Sequence, residues 1–189
     1  RPVIALLPGS RRQEILKKLP IMLAVAPLFP DHQFVVAQAP GLEESFYAPL
    51  LQGHSNVSFV RNQTYALLSA ARAALVTSGT ATLETALFGV PEVVCYKGSS
   101  LSYQIAKRLI KVKYISLVNL ILGREVVREL IQSEMAPKPM RKELDRLLND
   151  GPYRERMLND LRQLRVKLGG PGASARVADR VCTRLRERP

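Results

Sequence analysis

The sequence predicts an α/β fold, with a parallel six-stranded sheet, helices on both faces and further helices at the C-terminal end. Short apolar runs rich in β-branched residues alternate along the chain with longer segments of helical periodicity. Small-residue turns follow two of these runs, at Pro8-Gly9 and Ser78-Gly79. The 189 residues, of which 47% are hydrophobic, suffice for one domain with a sizeable core.

The apolar runs are predicted to be strands, because strands of a parallel sheet are buried on both faces. They cover residues 3–8, 33–38, 57–60, 74–78, 92–97 and 114–117. Strands that alternate with helices indicate βαβ units and therefore a Rossmann-like sheet.

Apolar residues at helical spacing predict the helices between these strands. They cover residues 12–29, 42–53, 65–73, 80–89 and 100–111, and the chain from Gly123 onward is predicted to be entirely helical. Prolines at positions 20, 27 and 49 are expected to mark boundaries or kinks. The segment GGPGAS predicts a hinge, so we expect one domain over 1–168 and a separate hinge and helix over 169–189.

Charge is distributed unevenly along the chain. The net charge is +12, and 21 of the 28 basic residues lie from Lys97 onward, together with 10 of the 16 acidic residues. This asymmetry indicates an anionic partner, which could be nucleic acid, a membrane surface or a phosphorylated substrate. Solvated helix faces would also account for most of these charges.

The first turn whose residues could bind a ligand is PGSRRQE, residues 8–14, directly after the first strand. Gly9 permits a close approach of the backbone, Ser10 could cap the next helix, and Arg11 and Arg12 suit phosphate. A simple turn before a capped helix is the alternative, but the adjacent arginines favour an anion site. The turn matches neither a Walker loop nor GxGxxG.

The second turn is TSGTATLE, residues 77–84, at the end of the fourth predicted strand. Ser78, Gly79 and Thr80 are small enough to let a diphosphate reach the free N–H groups of a helix N-terminus. Glu84 lies one turn further on the same helix face, where a carboxylate could accept hydrogen bonds from ribose hydroxyls. A first-turn acid that complements the helix dipole is an equally good explanation of Glu84.

The third stretch, residues 95–123, is strongly basic and contains no acid. Its cations are Lys97, Lys107, Arg108, Lys111 and Lys113. A basic helix with apolar and Tyr side chains nearby could lie on an anionic membrane, although an ordinary amphipathic helix on a sheet has the same pattern. Asn119 lies between apolar residues and needs a polar partner, either inside the protein or in a ligand.

In this order, the stretches LLPGSRRQEI, TSGTATLETALFGVPEVVCYK and YQIAKRLIKVKYISLVNLILGREVVRELIQ resemble the C-terminal half of the lipid-A-disaccharide synthases of Gram-negative bacteria. The resemblance implies a GT-B glycosyltransferase, in which two Rossmann-like halves face each other across a cleft. The reaction it implies joins UDP-2,3-diacylglucosamine to 2,3-diacylglucosamine 1-phosphate and releases UDP. It implies no metal and no cofactor, a missing N-terminal domain, a homodimer as one option, and a peripheral location on the cytoplasmic face of the inner membrane.

The resemblance also assigns roles to residues. The UDP-binding residues it implies are Ser10, Arg11, Ser78, Gly79, Thr80, Glu84 and Asn119. Lys97 would stabilise the departing UDP as a catalytic residue. The general base for the acceptor hydroxyl would lie in the absent half, so we expect the chain alone to bind UDP-sugar without turnover.

Two other functions stay open at this stage. Another GT-B enzyme that uses a UDP-sugar, such as an epimerase or a peptidoglycan transferase, would share the glycine-rich turn and the ribose-binding Glu. A noncatalytic basic module that binds nucleic acid or membrane would explain the charge. The sequence contains no RRM, KH or helix-turn-helix signature, so nucleic acid is not the expected partner.

Overall fold

The computed structural model describes residues 1–98, 113–169 and 172–186. The described chain contains a fully parallel six-stranded sheet in the order β3-β2-β1-β4-β5-β6. The strands are β1 (Val3–Leu7), β2 (Gln33–Ala37), β3 (Val57–Val60), β4 (Ala71–Thr77), β5 (Glu92–Tyr96) and β6 (Arg128–Ile131). The predicted α/β fold, with a Rossmann-like sheet and C-terminal helices, is therefore confirmed.

Helices connect the strands and follow the last of them. They are α1 (Arg12–Leu23), α2 (Glu44–Leu51), α3 (Thr64–Ala70), α4 (Thr80–Leu87), α5 (Leu117–Leu122), α6 (Pro137–Asn149), α7 (Gly151–Leu168) and α8 (Ala173–Arg186). α1 continues through Pro20 and α2 through Pro49, so neither proline marks a helix boundary. The helix predicted over 100–111 lies outside the described residues. No described helix is both long and apolar enough to cross a bilayer.

The sheet is covered on both faces, as the alternation of side chains in β1 shows. Ile4 and Leu6 belong to the larger apolar cluster, which also contains buried residues of α1, α6 and α7. Ala5 and Leu7 belong to a smaller cluster that includes Leu67 of α3. Successive strand residues point to opposite faces, so β1 separates two layers of helices.

The position of the sixth strand is a correction to the sequence analysis. Residues 114–117 were predicted to be a strand, but Ser116 is the N-cap of α5, and its side chain accepts a hydrogen bond from the backbone N–H of Asn119 at 3.2 Å. The sixth strand is β6, beside β5, so the segment after Gly123 is not entirely helical either. The sequence of β6 is RELI, and its charged residues hid the strand from a search for apolar runs.

The strand order places a specific edge of the sheet at the centre of the fold. β1 pairs with β2 on one side and with β4 on the other, so the direction in which strands are added reverses between β1 and β4. In open α/β sheets, ligands bind beyond the carboxyl ends of the strands at this reversal. The turns at 8–11 and 78–80 follow those two strands.

Candidate functional site

A cavity of about 560 Å³ lies at the carboxyl ends of β1, β2 and β4. Most of the predicted UDP-binding residues line it: Ser10, Arg11, Ser78, Gly79, Thr80 and Glu84. The fold thus brings together two motifs that are separated by more than sixty positions in the sequence. Asn119 and Lys97 are not among the lining residues.

The turn between β1 and α1 forms one wall of the cavity. Gly9 has φ +117°, which L-residues rarely adopt, and a Cβ added there would lie 2.8 Å from Oε2 of Glu14. Arg11 is the N-cap of α1, so the expectation that Ser10 caps this helix is wrong. No side chain caps α1, and the exposed Ser10 lines the cavity instead.

The turn between β4 and α4 forms the opposite wall. Gly79 is the N-cap of α4 with φ +147°, and no side chain caps this helix. Thr80 is its first residue, and half-buried Glu84 follows one turn later. Small residues therefore leave the N-terminal backbone of α4 accessible from the cavity.

These two walls offer an anion two helix N-termini and the Arg11 guanidinium, while Glu14 and Glu84 bring two carboxylates to the same cavity. Both α1 and α4 begin at the cavity without a capping side chain, so their first N–H groups have no partner from a cap. Helix N-termini carry partial positive charge, and Arg11 adds a full charge beside them. This set of donors suits two phosphate groups. The Glu84 carboxylate suits a group that carries hydroxyls.

A buried lysine lies behind the cavity. Lys18 of α1 is 5% exposed, and its Nζ donates a hydrogen bond of 2.5 Å to Oγ1 of Thr77, which lines the cavity. Burial lowers the pKa of the Lys18 ammonium, and the Glu14 carboxylate partly offsets this change. Sequence reasoning missed Lys18, although the spacing of Ile15, Lys18 and Leu19 places it on the buried face of α1.

Further lining residues were also missed from the sequence. Gln38 follows β2 and is 4% exposed, and neither its Nε2 nor its Oε1 has a hydrogen-bond partner among the described residues. Glu14 and Thr64 line the same cavity. No local motif marks Gln38, because only the pairing of β2 with β1 brings it to this edge.

Asn119 belongs to a buried hydrogen-bond network instead of lining the cavity. Its Oδ1 accepts from the backbone N–H groups of Val126 at 2.7 Å and Val127 at 3.0 Å. Its Nδ2 donates to the carbonyl of Val127 at 2.8 Å and to Oε1 of Glu129 at 2.9 Å. The amide is fully buried, and these bonds use both of its donors and both lone pairs of its oxygen.

The Asn119 network, defined as Asn119, Glu129 and the backbone groups they bind, supports one wall of the cavity. Glu129 accepts hydrogen bonds from the backbone N–H groups of Ile115 and Ser116, both at 2.9 Å. The carbonyl of Ile115 in turn accepts a bond of 3.3 Å from Oγ of Ser78. In the structure Asn119 therefore acts on the site through Ser78, and its direct contact with UDP stays a prediction.

Lys97 lies directly after β5, one strand beyond the β4 wall. Its side chain is half-buried. The neighbouring carbonyl of Gly98 accepts a hydrogen bond of 2.6 Å from Nζ of Lys17. A role for Lys97 in the reaction stays a prediction, because it lies outside the set of lining residues.

Comparison with known proteins identifies the family of the chain. The lipid-A-disaccharide synthetase family matches residues 1–175. The chain belongs to this family. The lipid-A-disaccharide synthase of Anaeromyxobacter dehalogenans is 44% identical over 187 residues, which are 96% of this chain and 49% of the relative. That of Trichlorobacter lovleyi is 40% identical over 192 residues, or 99% of this chain and 50% of the relative. The chain thus spans about half the length of the curated relatives it matches.

Solved structures share the fold at low sequence identity. The calicheamicin glycosyltransferase CalG4 is 24% identical, with a TM-score of 0.61 over 100% of this chain and 44% of CalG4. A Staphylococcus aureus MnaA–UDP structure is 14% identical, with a TM-score of 0.65 over 100% of this chain and 48% of MnaA. These likenesses show the glycosyltransferase-type fold, whereas the family assignment comes from the synthase relatives.

Proposed function

We propose that the chain is the donor-binding half of a lipid-A-disaccharide synthase. It would hold UDP-2,3-diacylglucosamine for transfer of the diacylglucosamine to 2,3-diacylglucosamine 1-phosphate. The observation that carries this proposal is the cavity in which two uncapped helix N-termini, Arg11 and Glu84 converge. Membership of the synthase family favours this enzyme over the epimerases and other UDP-sugar enzymes of the same fold.

In this proposal each wall of the cavity binds one part of the nucleotide. Arg11 and the first N–H groups of α1 and α4 hold the diphosphate, and the hydroxyl of Ser10 adds a donor nearby. The Ser78 hydroxyl lines the same site while it donates to the carbonyl of Ile115. Glu84 accepts hydrogen bonds from the ribose hydroxyls. Lys18 contributes a buried charge behind Thr77 and holds that hydroxyl in place.

The chemical step needs groups from both halves of the enzyme. The acceptor hydroxyl forms a bond to the anomeric carbon of the donor sugar, the bond from that carbon to UDP breaks, and the electron pair leaves with UDP. A general base in the N-terminal half takes the hydroxyl proton. Arg11, the helix N-termini and Lys97 would stabilise the negative charge that develops on UDP.

Two other features, an apolar stripe on α8 and the basic second half of the chain, suit contacts with another domain and with a membrane. In α8, Val177, Val181 and Leu185 form an exposed apolar stripe at helical spacing. We propose that this helix packs on the N-terminal half or on a second copy of the chain. The basic second half would keep the enzyme on the cytoplasmic face of an anionic inner membrane, as a peripheral protein.

The proposal is tested by calorimetric titration of the chain with UDP. Glu84→Ala should weaken binding about tenfold, since it removes hydrogen bonds between a carboxylate and the ligand. Glu155→Ala is the matched control, because Glu155 is also an acid at the fifth position of its helix, on an exposed face and outside the cavity. It should leave UDP affinity unchanged.

Several outcomes would contradict the proposal. A wild-type chain that does not bind UDP, or one whose affinity is unchanged by Glu84→Ala, removes the proposed site. Robust sugar transfer by the chain alone would refute the assignment of the base to the other half. RNA binding that weakens steeply with salt, without UDP binding, would favour the basic noncatalytic module.

A further inference from the structure

The cavity contains one buried amide that the protein itself leaves without partners. Gln38 is 4% exposed, lines the cavity, and makes no hydrogen bond through Nε2 or Oε1 to any described residue. An amide buried without hydrogen bonds costs about 1–3 kcal/mol in mutational data. A ligand group in the cavity would supply the missing bonds.

Two other buried amides of the described chain are hydrogen-bonded by the fold, whereas Nε2 of Gln132 also lacks a partner among the described residues. Asn56 donates through Nδ2 to the carbonyls of Ala26, Phe29 and His32 at 2.9, 3.2 and 3.1 Å. Asn119 uses its whole amide in the Asn119 network. Gln38 differs from both in lining a cavity.

The order of strands indicates which part of a nucleotide-sugar meets Gln38. The two anion-binding turns follow β1 and β4, Lys97 follows β5 on one side of them, and Gln38 follows β2 on the other. A nucleotide-sugar is linear, with the diphosphate between the sugar and the nucleoside. If the sugar lies on the side of Lys97, the nucleoside lies on the side of β2.

The helices next to Gln38 agree with that orientation. α3 packs on β1 and β2, and its first residue, Thr64, lines the cavity. Tyr65 of α3 stacks on Phe88 next to α4, with ring centroids 5.2 Å apart, so α3 and α4 lie side by side. A ribose held by Glu84 therefore directs its base towards Thr64 and the end of β2.

We propose that Gln38 is a specificity residue that recognises the nucleobase of the donor. Its Nε2 donates to a carbonyl oxygen of uracil, and its Oε1 accepts from the ring N3–H. This inference depends on the proposed function, because it assumes that the cavity binds UDP. A neutral amide has the donor and acceptor that the imide edge of uracil requires, whereas a diphosphate could use only the donor.

The test compares Gln38→Met with the same substitution at Gln33. Gln33 is the first residue of β2, at the opposite end of the strand from the cavity, so Gln33→Met is the matched control. Calorimetry would measure the affinity of each chain for UDP, ADP and inorganic pyrophosphate. Met has nearly the length of Gln but no amide.

We expect Gln38→Met to weaken UDP binding about tenfold or more, as loss of a two-bond contact to a base does. Pyrophosphate affinity should stay unchanged, and the preference for UDP over ADP should narrow. The thermal midpoint of the ligand-free Gln38→Met chain should equal or exceed that of wild type, because an unpartnered buried amide is removed. Gln33→Met should alter none of the affinities.

Three results would overturn the inference. Unchanged UDP affinity in Gln38→Met, with UDP binding intact in wild type, refutes base recognition and leaves the proposed function standing. An equal loss of UDP and pyrophosphate affinity, or a thermal midpoint several degrees below wild type, shows a structural role for Gln38 instead. Absence of UDP binding in wild type refutes the proposed function and this inference together.

Discussion

Two polar regions of the molecule differ in how their side chains are paired. In the Asn119 network, the amide of Asn119 and the carboxylate of Glu129 are bound by protein groups at 2.7–3.0 Å. In the cavity, and among the described residues, Gln38 has no hydrogen-bond partner and no side chain caps the helix N-termini at Arg11 and Gly79. The first region stabilises the fold, and the second offers donors and acceptors to a ligand.

This difference explains why residue type alone does not identify a site. Asn119 and Gln38 are both amides next to apolar segments, and both are buried. Only the tertiary structure shows that one of them is fully bonded and the other is not. Variants of the two regions should therefore affect different properties, namely stability in the first case and ligand affinity in the second.

The largest effect on stability is expected from Asn119→Ala. The substitution leaves the backbone N–H groups of Val126 and Val127 buried without acceptors and removes a donor to Glu129. Because each unsatisfied buried group costs about 1–3 kcal/mol, the free energy of unfolding should fall by about 3–5 kcal/mol. Urea denaturation measures this loss.

Asn149→Ala is the control for that substitution. Asn149 is exposed and donates one hydrogen bond of 2.9 Å to Asp145, so its loss should change stability by less than about 0.5 kcal/mol. If Asn119→Ala proved as harmless as Asn149→Ala while UDP affinity fell sharply, the network would belong to the ligand site after all.

Glu92 extends the comparison to an unpartnered group outside the cavity. It is the first residue of β5, at the amino end of the sheet, fully buried, and neither carboxylate oxygen has a partner among the described residues. Burial raises the pKa of Glu92 well above its ordinary value. The folded protein therefore keeps a proton on Glu92 that the unfolded chain releases near pH 4.5.

Stability should consequently fall as pH rises above about 4.5, by up to about 1.4 kcal/mol for each pH unit, until Glu92 ionises in the folded state. Below that pH both states are protonated and the loss disappears. Glu92→Gln should remove this slope and be more stable than wild type at pH 7. Glu155 lies on an exposed helix face, so Glu155→Gln should keep the slope of stability against pH. If Glu92→Gln showed the same dependence of stability on pH as wild type, the burial of a protonated Glu92 would not be its cause.

A smaller effect is expected from Gly9→Ala, which alters the cavity wall. The positive φ and the contact of a new Cβ with Glu14 should cost about 1–3 kcal/mol of stability. A shift of the turn to relieve that contact would move Ser10 and Arg11, so UDP affinity should fall as well. Gly53→Ala has φ +85° and no neighbour within 4 Å, so it should reduce stability without changing UDP affinity.

Equal losses of UDP affinity in the two glycine variants would show that backbone strain, and not the geometry of the cavity wall, causes the change. Denaturation and titration of both variants under the same conditions separate these explanations.

The sequence was sufficient to predict much of the fold and part of the site. Buried strands such as β1 and β4 are apolar and β-branched, so their pattern is local, and the turns that follow them contain visible Gly and Ser. β6 was missed because Glu129 is polar and becomes buried only through bonds to Ile115 and Ser116. A short apolar segment such as 114–117 does not distinguish a strand from the start of a helix.

The missed residues of the site have the same explanation. Lys18 could have been noticed, because it occupies an apolar position in the periodic pattern of α1. Gln38 had no such signal, since its significance depends on which strands lie beside β2 and on which groups fail to reach it. Pairing between distant residues is a property of the tertiary structure, and a single sequence does not display it.

The smallest effect on UDP binding is expected from Lys97→Met. Lys97 follows β5 outside the set of lining residues, so it should contribute less to ligand affinity than a cation of the cavity wall. UDP affinity should change less than about twofold, whereas Arg11→Met, which removes a cation from the cavity wall, should weaken binding about tenfold.

Turnover by the complete two-half enzyme gives the opposite expectation for Lys97. A cation that acts on the charge developing in the transition state lowers the barrier without binding the intact donor more tightly, so Lys97→Met should reduce kcat while affinity for the UDP-sugar stays nearly the same. If titration instead showed that Lys97→Met and Arg11→Met lose equal amounts of UDP affinity, the cavity would extend across β5. The sugar would then bind in the region that is assigned above to the diphosphate. The nucleobase would lie on the other side of the site, and not at Gln38.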